Sequence, residues 1–105
     1  MLLKRVHYLW SNQSTFFRMI HIFTMPYYSY VLRSLKNGIL YKGSIQDIEN
    51  RLKIHNQGLV NHTSKHMPWE LVLFEQFETR SEAMKREKWY KTGVGREWIK
   101  SKISV

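Results

Sequence analysis

The sequence contains no cysteine, few acidic residues and no long uninterrupted hydrophobic run. The missing cysteines exclude disulfides, thiolate nucleophiles and zinc–thiolate sites, and a reducing, cytoplasmic location fits this composition. Only 8 Asp and Glu oppose 17 Lys and Arg, and the formal charge of +9 favours a polyanionic partner such as nucleic acid. Without a continuous apolar run, the sequence predicts no membrane span.

The chain has 105 residues, 43% of them hydrophobic, which is enough apolar material for one domain and not for two. Residues 1–24 are basic and lack the pattern that follows, and polar residues interrupt their apolar stretches. We interpret them as an N-terminal leader, which is a mobile segment, a peripheral helix or the result of a mis-assigned translation start at Met1 rather than Met25. Residues 25–105 then form the domain.

The stretch from residue 27 to residue 55 predicts a β-hairpin that leads into a helix. Polar and apolar residues alternate around Tyr30, and Asn37-Gly38 is the pair preferred in two-residue hairpin turns. Tyr30 and Tyr41 should therefore lie on neighbouring paired strands. Ser44, with an acidic residue three positions later, predicts the N-cap of the following helix.

On that helix Arg51 and His55 are four residues apart, so they should project from one face. Further along, a T-x-x-E capping box at Thr79 predicts a second helix, whose inward stripe contains Glu87 beside Ala83, Met84 and Tyr90. A carboxylate at an inward position is either paired with Arg51 as a structural ion pair or held for a cation.

Taken together, these patterns predict an α+β fold with a small, three-stranded, mainly antiparallel sheet and about three flanking helices. The expected strands are 27–34, 38–43 and 69–77, and the expected helices are 45–57, 80–92 and 95–103.

Basic residues are spread over several predicted elements, as expected for a surface that follows a phosphate backbone. A solvated helical face is the simpler alternative for the run between residues 85 and 102. The loop 59–68 contains His62 and His66 but no acidic residue, which argues against a metal site there. The residues predicted to bind nucleic acid are Lys42, Lys53, Thr63, Lys65, Lys85, Lys88 and Lys91.

Tyr30, the tripeptide Tyr41-Lys42-Gly43, Arg51 and Glu87 occur in an order and spacing that resemble the GIY-YIG nuclease superfamily. The likeness extends from about residue 25 to residue 103 and is closest to small single-domain members, related to the excinuclease C nuclease domain and to Slx-type endonucleases. Two departures stand out. The first tripeptide reads Ser-Tyr-Val, and Lys42 replaces the usual isoleucine.

The resemblance implies a chemical role for each of these residues. Glu87 would hold one Mg²⁺ or Mn²⁺, Arg51 would bind a phosphate oxygen, and Tyr41 would activate or orient the attacking water with Tyr30 hydrogen-bonded nearby. His55 would position that water or assist proton transfer. Because an unperturbed tyrosine has a pKa near 10, a base role for Tyr41 requires nearby positive charge.

Three functions therefore compete at this stage. The resemblance favours a metal-dependent DNA endonuclease, acting on branched or damaged DNA in repair or recombination, with RNA not excluded as a ligand. A non-catalytic nucleic-acid-binding module on the same fold would share the basic surface. A subunit that relies on a protein partner for substrate specificity is the third function, since so small a domain has little surface for substrate selection.

Overall fold

The computed structural model describes residues 26–103, and the predicted leader lies outside the described residues. Three antiparallel strands form one sheet in the order β2-β1-β3, so the predicted α+β architecture is confirmed. A short 3-10 helix, Ser64–His66, precedes the third strand. The elements are β1 Tyr27–Ser34, β2 Leu40–Ile45, α1 Ile48–Asn56, β3 Trp69–Phe77, α2 Arg80–Tyr90 and α3 Gly93–Ile103.

The hairpin between β1 and β2 has a longer connection than the predicted two-residue turn. The Ser34 N–H donates to the Ile39 carbonyl at 2.9 Å, and the Gly38 N–H donates to the Ser34 carbonyl at 2.9 Å. The Ser34 hydroxyl accepts the Lys36 and Asn37 amides, both at 3.1 Å, and Gly38 takes a φ of 80°. The local hydrogen bonds of a serine side chain thus set the turn, and β2 begins at residue 40 instead of 38.

The first helix also starts later than predicted. Asp47 is its N-cap, because the carboxylate accepts the Asn50 N–H at 3.1 Å, whereas Ser44 belongs to β2. The capping box at Thr79 is present as predicted. Asn56, at the end of α1, exchanges two hydrogen bonds with the Trp69 backbone at 2.6 and 3.0 Å, which ties α1 to the start of β3.

The helices pack on both faces of the sheet. Tyr30 contacts His55 of α1, while its neighbour Ser29 bonds Tyr90 of α2 at 2.8 Å. Successive strand side chains point to opposite faces, so α1 covers one face and α2 covers the other, with α3 packed on α2 and β3. The core includes Tyr28, Val31, Leu32, Ile48, Leu73, Tyr90 and Ile99.

An ion pair between a buried glutamate of β3 and a partly exposed arginine of α2 joins these two elements. Glu75 of β3 is 2% exposed and accepts Arg86 at 2.8 Å and the Tyr90 hydroxyl at 2.6 Å. The Arg86 guanidinium also lies 4.1 Å from the ring centroid of Trp89 and 4.7 Å from that of Trp98. These contacts satisfy the buried charge of Glu75. They also hold the part of α2 that carries Glu87, the residue after Arg86.

Of the four residues in the predicted inward stripe of α2, two are buried, Glu87 is partly exposed and one is exposed. Ala83 and Tyr90 are buried, but Met84 is 52% exposed. On α3, Ile99 is buried and Trp98 packs against the core, as predicted. No helix within residues 26–103 is long and apolar enough to cross a bilayer.

Candidate active site

The site is centred on Tyr30 of β1, whose ring lies over the edge strand β2. Tyr30 pairs with Gly43, and a Cβ on Gly43 would lie 2.5 Å from the Tyr30 hydroxyl oxygen. Only glycine leaves room for the phenol ring here. Burial raises the pKa of Tyr30 to about 12, although a hydrogen bond with Arg51 opposes the shift. Tyr30 is therefore a protonated hydroxyl at neutral pH.

The guanidinium of Arg51 lies against both tyrosines. Burial lowers the pKa of Arg51, but hydrogen bonds and charge interactions with Tyr30 and Tyr41 outweigh this effect and raise it. The two tyrosine rings are 6.4 Å apart between centroids. Helix α1 thus brings a permanent cation to two phenol groups on one face of the hairpin.

His55, one turn after Arg51, is fully buried. Its Nδ1 lies 2.9 Å from the Thr63 hydroxyl and its Nε2 lies 3.4 Å from the Tyr30 hydroxyl. Burial lowers the pKa of His55 to about 4, and the charge of Arg51 adds to this shift. The imidazole is therefore neutral at pH 7 and has protein partners at both nitrogens.

Tyr41 is half-buried and forms the wall of the site nearest the loop 59–68. Its ring centroid lies 4.8 Å from that of His55, 5.5 Å from that of His62 and 6.2 Å from that of Trp69. His62 is exposed, whereas Thr63 is 1% exposed. Thr63, which the sequence predicted to bind nucleic acid, turns its side chain inward to His55 and donates to the Val60 carbonyl at 3.2 Å.

Glu87 approaches from α2, on the other side of β2. One carboxylate oxygen accepts the Ser44 hydroxyl at 2.8 Å, and the other lies 3.0 Å from Lys91 Nζ. The side chain of Glu87 is 25% exposed. Its ionic partner is Lys91, so the alternative of a structural ion pair with Arg51 is not found. The charge of Glu87 still acts on Tyr30, whose pKa it raises slightly.

A cleft of about 330 Å³ opens where β2 ends, between α1 and α2. Arg51 and Ser44 both line it, as do Arg80, Asp47 and Asn50. The cleft therefore joins the residue that contacts the tyrosines to the residue that holds Glu87.

The donor set at Glu87 fits a hard divalent cation that binds mostly through water. No group of three His, Asp or Glu side chains within residues 26–103 could hold an ion by itself. Mg²⁺ is commonly held by one or two carboxylates together with waters and substrate phosphates. A single, largely buried carboxylate, oriented by the Ser44 hydroxyl, meets that requirement once Lys91 moves away.

Residues 26–99 match the GIY-YIG catalytic domain. The chain belongs to the GIY-YIG family. It is 43% identical over 67 residues to a UPF0213 protein of Staphylococcus saprophyticus, an alignment that covers 63% of this chain and 80% of that protein. A UPF0213 protein of Bacillus licheniformis is 42% identical over 69 residues, which cover 65% of this chain and 70% of the relative. No solved structure matches the chain.

In this GIY-YIG domain, the hydrogen-bond partners of two side-chain hydroxyls were not predicted from the sequence. Ser44 was assigned to a helix cap but contacts Glu87, and Thr63 was assigned to the surface but contacts His55. Strand alternation offered a signal for Ser44, since it lies two residues after Lys42 on the same side of β2. No local signal marked Thr63, whose partner lies on another element.

The basic residues predicted to bind nucleic acid lie on several elements of the GIY-YIG domain. Lys53 is exposed on α1 and Lys65 is exposed in the 3-10 helix. Lys85 and Lys88 line a shallow depression beside Met84, on the outer side of α2. Lys91 instead contacts Glu87.

Proposed function

We propose that this protein is a divalent-metal-dependent endonuclease that hydrolyses phosphodiester bonds in DNA, with branched or damaged DNA as its preferred substrate. The observation that carries the proposal is the meeting of Arg51, two tyrosine hydroxyls and the Glu87 carboxylate around residues 43 and 44 of one edge strand. Cleavage of a phosphodiester needs an aimed water and positive charge beside the phosphate.

Arg51 supplies permanent positive charge for a non-bridging phosphate oxygen, because its pKa is raised and its fork of donors suits phosphate. Tyr41 borders the exposed side of the site and orients the attacking water. Mg²⁺ or Mn²⁺ held by Glu87 would supply further positive charge to the reacting phosphate when bound. Ser44 keeps the carboxylate of Glu87 in place through its hydroxyl.

Tyr30 and His55 have supporting roles in this proposal. A hydroxyl with a pKa of about 12 does not act as a base at neutral pH, so Tyr30 donates a hydrogen bond instead. His55 is neutral, fully buried and bonded to Thr63, which favours positioning of Tyr30 over the proton transfer proposed from the sequence. The pair therefore keeps the phenol ring above Gly43.

The test compares Glu87→Gln with a matched change at an exposed glutamate, Glu97→Gln, on nicked, flapped and branched DNA with Mn²⁺ and an EDTA control. Glu87→Gln should lower the cleavage rate by about 100-fold or more while DNA affinity stays equal or rises slightly. Arg51→Ala should lower cleavage to a similar extent without changing metal affinity. Glu97, which is 78% exposed, should tolerate its change.

Two outcomes would contradict this proposal. Cleavage at the wild-type rate by a folded Glu87→Gln protein removes Glu87 from the mechanism. If the wild-type protein binds DNA but does not cleave it with Mn²⁺, the non-catalytic binding module becomes the better description, and the Glu87–Lys91 ion pair would then be structural.

A further inference from the structure

Lys42 belongs to a group of cations on the α2 side of the edge strand. Alternation along β2 places its side chain on the same side as Ser44, the residue that holds Glu87. Glu87 in turn pairs with Lys91, whose backbone carbonyl accepts a hydrogen bond from Arg96, so these two cations lie on the same side of β2. Burial lowers the pKa of Lys42, and the charges of Arg96 and Lys91 lower it further. We call Lys42, Lys91 and Arg96 the cation cluster.

The cation cluster is short of negative charge. Lys91 is paired with Glu87 at 3.0 Å, and Arg96 donates from Nη1 to the Lys91 carbonyl at 2.7 Å. Among residues 26–103, the Lys42 ammonium has no hydrogen-bond or ion-pair partner. A half-buried lysine without a counter-ion, next to two other cations, costs stability that an incoming anion would restore.

The position of the cation cluster relative to Arg51 indicates what this anion is. Arg51 lies on the α1 side of β2, and the cation cluster lies on the α2 side of the same edge strand. A polyanion that places one phosphate at Arg51 has its next phosphates within reach of the other side. Lysine and arginine both bind phosphate through charge-assisted hydrogen bonds.

We propose that Lys42, Lys91 and Arg96 form a second phosphate site, which binds a phosphate next to the scissile one and bends the DNA strand around the edge of the sheet. This inference rests on the proposed nuclease function for the identity of the polyanion. It accounts for lysine at the position where the family usually has isoleucine. A strand that must turn sharply suits a flap or a junction better than a continuous duplex.

The test uses DNA binding in EDTA, where cleavage does not interfere. The affinity of Lys42→Met/Arg96→Met for fluorescent flap DNA is measured between low and moderate salt, and Lys36→Met/Lys102→Met is the control with the same loss of charge. Losing one bound phosphate should reduce the slope of log K against log salt by about 0.9 relative to the control. Metal-dependent cleavage of the same DNA by the wild-type protein is measured in parallel.

A second measurement separates a binding role from a folding role. Lys42→Met alone should raise the melting temperature of the free protein, because it removes a crowded, half-buried charge, while it weakens DNA binding. Equal slopes for the double variant and its control would overturn the phosphate site, whatever the cleavage result. If the double variant has the reduced slope but the wild-type protein does not cleave the DNA, the phosphate site is supported and the nuclease function is overturned.

Discussion

Replacing Gly43 by alanine tests whether the Tyr30 ring needs the space above the edge strand. The new Cβ would lie 2.5 Å from the Tyr30 hydroxyl oxygen and 2.6 Å from Cζ, which is far inside normal contact distance. Overpacking of this kind costs about 1–3 kcal/mol, while the stiffer unfolded chain returns about 0.4–1 kcal/mol. We expect a net loss of roughly 1–2 kcal/mol from the free energy of unfolding.

For a domain of this size, a loss of 1 kcal/mol lowers the melting temperature by about 4–8 °C. Circular dichroism melts should therefore place Gly43→Ala roughly 5–15 °C below the wild type. Gly93→Ala is the matched control, because a Cβ there meets no atom within 4 Å and the backbone φ is not positive. The control should melt at or slightly above the wild-type temperature.

The cause of the loss is isolated by repeating the change in a Tyr30→Leu background, where the phenol ring is absent. Gly43→Ala should then cost much less than it does in the wild type, so the two changes should be strongly non-additive. An equal cost in both backgrounds would refute the clash with Tyr30. At temperatures where Gly43→Ala is folded, its cleavage rate should still fall, because the displaced ring no longer meets Arg51.

Two further predictions concern buried charge. His55 has a folded-state pKa of about 4, below its ordinary value of 6.5, so its stabilising contribution is full above pH 6.5 and is lost as the pH falls toward 4. Urea unfolding should show an acid loss of up to about 3 kcal/mol that His55→Gln lacks, and an identical pH dependence in both proteins would contradict this. Arg86→Met leaves Glu75 buried without its cation and should destabilise the fold by about 3–5 kcal/mol, whereas the exposed Lys100→Met should be neutral in the same urea titration.

The parts of the fold that local chemistry decides could be predicted from the sequence. Alternation predicted β1 and a mixed continuous and alternating apolar pattern predicted β3, both at the observed bounds, and the capping box at Thr79 marked the start of α2. The turn and the start of α1 were mispredicted because the hydroxyls involved had a second use. Ser34 caps its own turn, and Ser44 is taken by a carboxylate 43 residues away.

The candidate site shows the same difference between features that local sequence patterns predict and features that depend on distant partners. The resemblance supplied its residues, and the spacing of Arg51 and His55 on one helix agreed with their common contact to Tyr30. Their side chains' actual partners depend on non-local packing. The burial of Thr63 and the pairing of Lys91 with Glu87 were therefore out of reach of sequence patterns. The catalytic roles stay predictions that the cleavage assays test.

The alternation of side chains along β2 sets how this domain tolerates changes in length. Tyr41 and Gly43 point to one face of the sheet, and Lys42 and Ser44 point to the other. One residue inserted before Tyr41 within the strand would exchange these two sets and separate Arg51 and Glu87 from their partners at once. The same residue inserted in the exposed connection 35–39 would leave both sets in place. Engineering that lengthens the hairpin should therefore be confined to its tip.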